Sequence, residues 1–243
     1  MSFKNYHYVN SYQKKIKNKR VEKSLHTAWL QTPSKNNFMN YKVHVLGPEF
    51  VKEKQEIYWL CLRSETKADG NEITSSSGLL DYDKKKSPNY SKKNRALIPE
   101  NHPGRSDYRN ILSAPYVLIF TQRVEDTPNE VQKDKIRKGT VYEQMATHGD
   151  KKLRARHNAL IEIGMFSTNF ASECLDAAID ISHTLCFPGH RKDWPQEYFA
   201  FLDENPLLIM TAGIGENYRN VTEQTGDRKP DFDRIVNIMR KDA

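Results

Sequence analysis

Tyr116 to Phe120, inside the stretch SAPYVLIFTQ, is an almost unbroken apolar run. A strand with one wet face alternates apolar and polar residues, whereas a run without alternation is expected where both faces are buried. Two further strands are visible. Tyr41, Val43 and Val45 alternate with Lys42 and His44, giving a strand over 41–46, and PLLIMTA gives another over 206–212. Between these strands lie helical patterns. Val21, Leu25, Ala28 and Trp29 recur at i, i+4, i+7 and i+8, predicting an amphipathic helix that packs on a core. FVKEKQEIYWLCLR, residues 50–63, predicts a second helix with Ile57, Leu60 and Cys61 on one side. The longest helical signal runs from about Leu153 to Ile181, with Gly164, Ser167, Ala171, Cys174 and Ala178 forming a stripe of small side chains. Such a stripe lets another helix approach closely, so this helix is expected in the middle of the fold, at an intramolecular or subunit contact. Interleaved helices and strands, with three clear strands, indicate a helix-rich α/β or α+β chain.

Two long polar stretches interrupt this pattern. Residues 64–108 are rich in Ser, Lys, Asn and Asp and carry too few apolar residues for a core of their own, and residues 123–150 form a further polar stretch. They read as excursions from one domain spanning residues 1–243. Hydrophobic residues make up 37 % of the chain, and no run approaches the ~20 apolar residues of a membrane span. The first 20 residues are basic but have no apolar segment of the secretory type. Cys61, Cys174 and Cys186 are odd in number and irregularly spaced, which favours a soluble protein in a reducing cytoplasm. The net charge of +7 suits an anionic ligand. Its local runs, Lys14–Arg20, Lys84–Lys86 and Lys151–Arg156, read first as solvated faces.

Several motifs carry less than they suggest. AGIGEN after a strand has Tyr218 where the third glycine of a dinucleotide loop would fall, and it lies near the end of the chain, so its two glycines read as a turn ending the strand. His183, Cys186 and His190 in HTLCFPGH match no common zinc spacing, and no metal set is assigned; Cys186 reads as a partly buried loop cysteine. There is no H-E-x-x-H, no G-x-S-x-G and no phosphate loop.

What remains is polar and unusually placed. Pro33 ends the first helix, and Ser34, Lys35, Asn36, Asn37 and Asn40 crowd the junction before the strand at 41. Side chains that donate and accept at fixed positions suit the edge of a heteroaromatic ring bearing carbonyls and ring nitrogens. Pro188-Gly189-His190 is a second candidate, because a glycine turn brings backbone N–H groups to a surface that a planar ligand can approach. Arg228 and Lys229, just before Pro230, form a candidate phosphate clamp.

In this order the motifs resemble those of the nitroreductase family of FMN-dependent oxidoreductases. QTPSKNNFMNYKVHVL keeps the Pro, Ser and Asn of that family's turn after the first core helix at Pro33, Ser34 and Asn37, while Met39-Asn40-Tyr41 replaces its Gln-Pro-Trp. SAPYVLIF is similar to the family's Ala-Pro and apolar strand, IEIGMFSTNFASECLDAAIDI to its long central helix, FPGH to the turn facing flavin N5, and LLIMTAGIGE with RKP to its closing elements. The family's N-terminal Arg-Arg-Ser is not visible, which leaves two alternatives at the FMN phosphate: Lys17, Lys19 or Arg20 replaces it, or Arg228 and Lys229 hold the phosphate largely alone.

The resemblance implies an α+β, three-layer α/β/α fold with a central mixed, mainly antiparallel sheet flanked by helices. It implies a domain-swapped homodimer holding FMN at the interface. The reaction implied is ping-pong, with hydride passing from NAD(P)H through flavin N5 to a small nitro-aromatic, quinone-like or other acceptor and no side-chain acid or base required. Ser34, Asn36 and Asn37 are then expected at the ring and ribityl edge, Pro188, Gly189 and His190 at N5, and Arg228, Lys229 and Arg20 at the phosphate. Two readings stand beside this one. The same fold can fragment flavin or remove halide reductively, and a basic chain can bind nucleic acid through Lys14–Arg20 and Lys84–Lys93.

Overall fold

The computed structural model describes residues 7–13, 16, 18–34, 39–64, 108–123 and 149–220. In chain order these form β1 (His7–Gln13), α1 (Asn18–Gln31), β2 (Tyr41–Leu46), α2 (Val51–Ser64), α3 (Arg109–Ser113), β3 (Tyr116–Gln122), α4 (Gly149–Asp176), β4 (Asp180–Thr184), α5 (Gln196–Phe199) and β5 (Pro206–Asn220). Most of the two polar excursions, the segment 35–38 and the chain after Asn220 lie outside the described residues. Among the described residues no helix is long and apolar enough to cross a membrane.

The apolar run is the central strand. β3 pairs with β2 on one side and β5 on the other, and Val117, Leu118, Ile119 and Phe120 are all fully buried. Its alternate residues feed two cores on opposite faces. Tyr116, Leu118 and Phe120 join Leu208, Met210 and Ala212 of β5 against Val21 and Ala28 of α1 and Ile163, Phe166, Phe170 and Cys174 of α4. Val117, Ile119 and Ile209 point the other way, against Ile57, Leu60 and Cys61 of α2, Ile111 of α3, and Phe187, Trp194, Phe199 and Leu202. The result is helix, sheet, helix in three layers, with every pairing among the described strands antiparallel. The polar interior is tied down as well. Tyr12 Oη lies 2.8 Å from Thr211 Oγ1, and Asn110 Nδ2 donates to Ser182 Oγ at 3.2 Å.

Four expectations are corrected. The described residues form a five-stranded sheet, where three strands were clear from the sequence. β5 does not turn at Gly213-Ile214-Gly215 but continues to Asn220, its first half between β3 and β4 and its second half against β1. Gly213 allows this passage, since a Cβ there would lie 2.6 Å from Pro115 Cδ and 2.8 Å from Tyr12 Cδ1. The long helix stops at Asp176. Ala178 takes a left-handed φ of 51°, Ala178 N–H donates to Leu175 O and Ile179 N–H to Cys174 O, which is a Schellman cap built without glycine, and β4 follows. Finally, α4 is covered on one side only in this chain. Ser167 and Cys174 of the small-residue stripe are buried, but Gly164 and Ala178 are exposed, and so is Trp29 of α1 at 46 %.

One buried cation joins the layers. Lys54 of α2 sends Nζ to the carbonyls of Ala114 (2.9 Å) and Pro115 (2.8 Å), at the end of α3. Burial lowers its ammonium to about 8, against the opposing pull of Glu49 and Glu53. The folded value lies below the usual 10.5, so the folded chain carries a penalty that is full below pH 8 and is relieved as pH rises toward 10.5. Relative to a Lys54→Met variant, the wild type is expected to gain roughly 1–3 kcal/mol between pH 8 and 10.5, with a flat difference below pH 8, measured by urea unfolding at each pH.

Candidate functional site

Both faces of the sheet are covered, so exposed chemistry is confined to the strand ends. At one end β2 begins, β3 finishes, β5 begins and β4 finishes, as the pairs Tyr41–Gln122, Thr121–Pro206 and Thr184–Ile209 show. The junction before β2 and the loop after β4 both emerge there. β3 and β5 stand between β2 and β4, so the two are separated by about 14 Å across the sheet.

The first of these is the polar corner at 32–40. Thr32 Oγ1 donates to Ala28 O at 2.6 Å and receives Asn169 Nδ2 at 3.3 Å, closing α1 just before Pro33. The centre of the corner is Glu162 of α4, a side chain only 4 % exposed. Its Oε1 accepts from Ser34 Oγ (2.7 Å) and Asn40 Nδ2 (3.0 Å), and its Oε2 accepts from the Asn40 backbone N–H (2.6 Å). Ser34 Oγ in turn accepts from Met39 N–H at 2.8 Å. Arg123 fixes the other side, with Nε donating to Met39 O (2.8 Å) and its backbone N–H to Asn40 O (2.9 Å). Met39 is held by these contacts at a φ of 49°, a left-handed conformation that costs a non-glycine residue on the order of 1 kcal/mol. Next to the corner, burial pushes the Tyr41 phenol up to about 12, with Thr32 pulling the other way and the Glu162 charge adding to the rise.

The second piece is the loop after β4. Phe187 is buried in the α2-side core, edge-on to Trp194 at 6.0 Å, and Trp194 packs on Phe199 at 4.9 Å. Trp194 Nε1 donates to Pro188 O at 2.8 Å, and Arg191 N–H donates to Asn205 Oδ1 at 2.8 Å. Gly189 and His190 are exposed between these anchors, and among the described residues their N–H groups have no hydrogen-bond partner. No chain atom lies within 4 Å of a Cβ built on Gly189, so the surface above it is open.

The residues singled out from the sequence are therefore distributed as follows. Ser34 and Pro188–His190 reach the same end of the strands but are rooted on opposite faces of the sheet. Arg20 sits in the first turn of α1, roughly 17 Å of helix away from the Ser34 corner, and its guanidinium donates to the Ala177 carbonyl at the end of α4. Asn36, Asn37, Arg228 and Lys229 lie outside the described residues. Sequence reasoning missed Glu162 and Arg123. Glu162 stands two residues before Gly164 in a helical pattern where the carboxylate reads as surface, and only the tertiary contact with the corner reveals it.

No family model and no curated protein matches the chain. Solved structures do match. A nitroreductase family protein from Streptococcus pneumoniae superposes with a TM-score of 0.58 at 14 % identity, covering 96 % of both chains. A protein from Staphylococcus epidermidis, provisionally named an NAD(P)H:FMN oxidoreductase, gives 0.56 at 11 % identity over 97 % of this chain and 92 % of its own. A protein from Exiguobacterium sibiricum, provisionally named a nitroreductase and solved in complex with FMN, gives 0.55 at 11 % identity over 95 % and 92 %.

The indole hydrogen bond is expected to set the shape of the second loop. Trp194→Phe removes the donor to Pro188 and should cost about 1–2 kcal/mol. Amide exchange at 189–190 is expected to accelerate more than exchange in β3, as read by hydrogen–deuterium exchange.

Proposed function

From the nitroreductase fold of this chain, we propose that it is an FMN-dependent oxidoreductase that takes hydride from NAD(P)H and passes it to a small electron acceptor in a ping-pong cycle. The observation that supports this reading most directly is the pairing of two unlike surfaces at one end of the sheet. One is a polar corner organised around the Glu162 carboxylate, and the other is an open turn whose Gly189 and His190 N–H groups have no partner among the described residues. Those two backbone donors suit the edge of a flavin ring, with its carbonyl oxygens and ring nitrogens. Bound FMN would supply the hydride-transferring centre that none of the described side chains provides.

In this reading Gly189 and His190 present N–H groups to the ring, Pro188 is kept in place by Trp194, Ser34 holds Met39, and Asn36 and Asn37 are assigned to the ring edge. The phosphate falls to Arg228 and Lys229. Arg20, whose guanidinium also donates to the Ala177 carbonyl, is the third candidate there.

The two surfaces share one end of the sheet but are rooted on its opposite faces, and in this reading each site takes the corner of one copy and the turn of another, in a homodimer. Ile161, Gly164, Thr168 and Leu175 lie along one stripe of α4 and are all exposed, with open space above Gly164. That stripe is the face offered to the second copy, and close approach at Gly164 is the use we assign to its missing side chain.

Purified protein is expected to be yellow, or to show flavin absorbance and a raised Tm after FMN is added. Colourless protein without a thermal shift would sink the cofactor assignment. Arg228→Ala should lower FMN retention at least tenfold with little change in the far-UV spectrum, as measured by bound flavin per chain. Ile161→Glu should convert dimer to monomer in sedimentation and lower FMN occupancy together with it.

A further inference from the structure

The Glu162 carboxylate is an uncommon object: a buried acid whose three hydrogen bonds in the structure come from neutral donors of Ser34 and Asn40, between α1 and β2. A buried charge of this kind is retained only where its hydrogen bonds are met, and here these two residues meet them. The contacts around it also hold Met39 in a left-handed conformation that a non-glycine residue would otherwise leave. Ser34 Oγ links the carboxylate to Met39 N–H, Arg123 takes the Met39 carbonyl, and Asn40 is gripped through both backbone and side chain. Removing the carboxylate therefore releases the one contact common to Ser34 and Asn40.

We propose that Glu162 is the positioning residue of the FMN corner, holding Ser34, Met39 and Asn40 in the arrangement that receives the flavin. This rests on the functional reading above. Glu162 itself need not touch the cofactor, since its oxygens are occupied by Ser34 and Asn40. The same geometry reassigns Ser34, whose hydroxyl donates to Glu162 and accepts from Met39, from ligand contact to internal strut.

The test measures FMN affinity by fluorescence quenching and Tm of the apoprotein, for wild type, Glu162→Gln and an exposed control, Glu216→Gln. In Glu162→Gln an amide N–H₂ replaces one acceptor oxygen and opposes a donor of Ser34 or Asn40. FMN Kd is expected to rise at least tenfold while the circular dichroism stays native, with the control unchanged. Glycine adopts the Met39 conformation without strain, so adding Met39→Gly to Glu162→Gln is expected to recover part of the lost affinity. A folded Glu162→Gln protein with the wild-type Kd overturns the assignment, as does a loss that Met39→Gly leaves untouched. If Glu162→Gln does not fold, Ser34→Ala decides the matter by the same readout, an unchanged Kd again overturning it. Wild-type protein that binds no FMN overturns the functional reading and this assignment together, whereas FMN binding that ignores Glu162 overturns this assignment alone.

Discussion

The two-sided burial of β3 governs the rest of the molecule. Four consecutive side chains, Val117 to Phe120, are removed from water by two different helical layers. Neither layer is optional, since losing either would expose every second residue of the central strand. Because both faces are sealed, the fold leaves the strand ends as the place where polar chemistry meets solvent. The corner before β2 and the turn after β4 share such an end for this reason, and their rooting on opposite faces is the same constraint seen from the side.

The polar corner shows how residues outside regular structure can be anchored from several sides. Ser34, Met39 and Asn40 are tied by a carboxylate on α4, a hydroxyl just after α1 and a guanidinium at the end of β3, so three separate elements must be in place together. Strain at Met39 is tolerated because these contacts outnumber the freedoms they remove. The loop after β4 uses different means. There an indole is wedged between two aromatic rings and holds a proline carbonyl, while the adjoining glycine faces open space.

The helices and the apolar strands could be read from sequence because their signals are local. Ile57, Leu60 and Cys61 were expected on one side of α2 and are all fully buried. β1 was invisible for a physical reason. Its buried residues Val9 and Tyr12 are three apart, because irregular pairing with β5 between Val9 and Tyr12 breaks the alternation that marks a strand. β4, with the sequence DISHT, buries Ser182 through a hydrogen bond with Asn110 instead of through apolar contact. The end of α4 was misread because its cap is Ala178, where a glycine would have signalled the stop. The three-layer fold was anticipated through the order of degenerate motifs. Glu162 could not be, since burial of a helical carboxylate depends on a turn more than 120 residues away.

β5 carries a consequence for how the chain is made. His7 pairs with Asn220 and Gln13 with Ile214, so the first strand meets its partner only across some two hundred intervening residues. During synthesis Val9 and Tyr12 must wait, unpaired, until nearly all the described chain has left the ribosome. Closure of that edge is then among the last events of folding, with loop entropy opposing it until the remaining strands have already assembled.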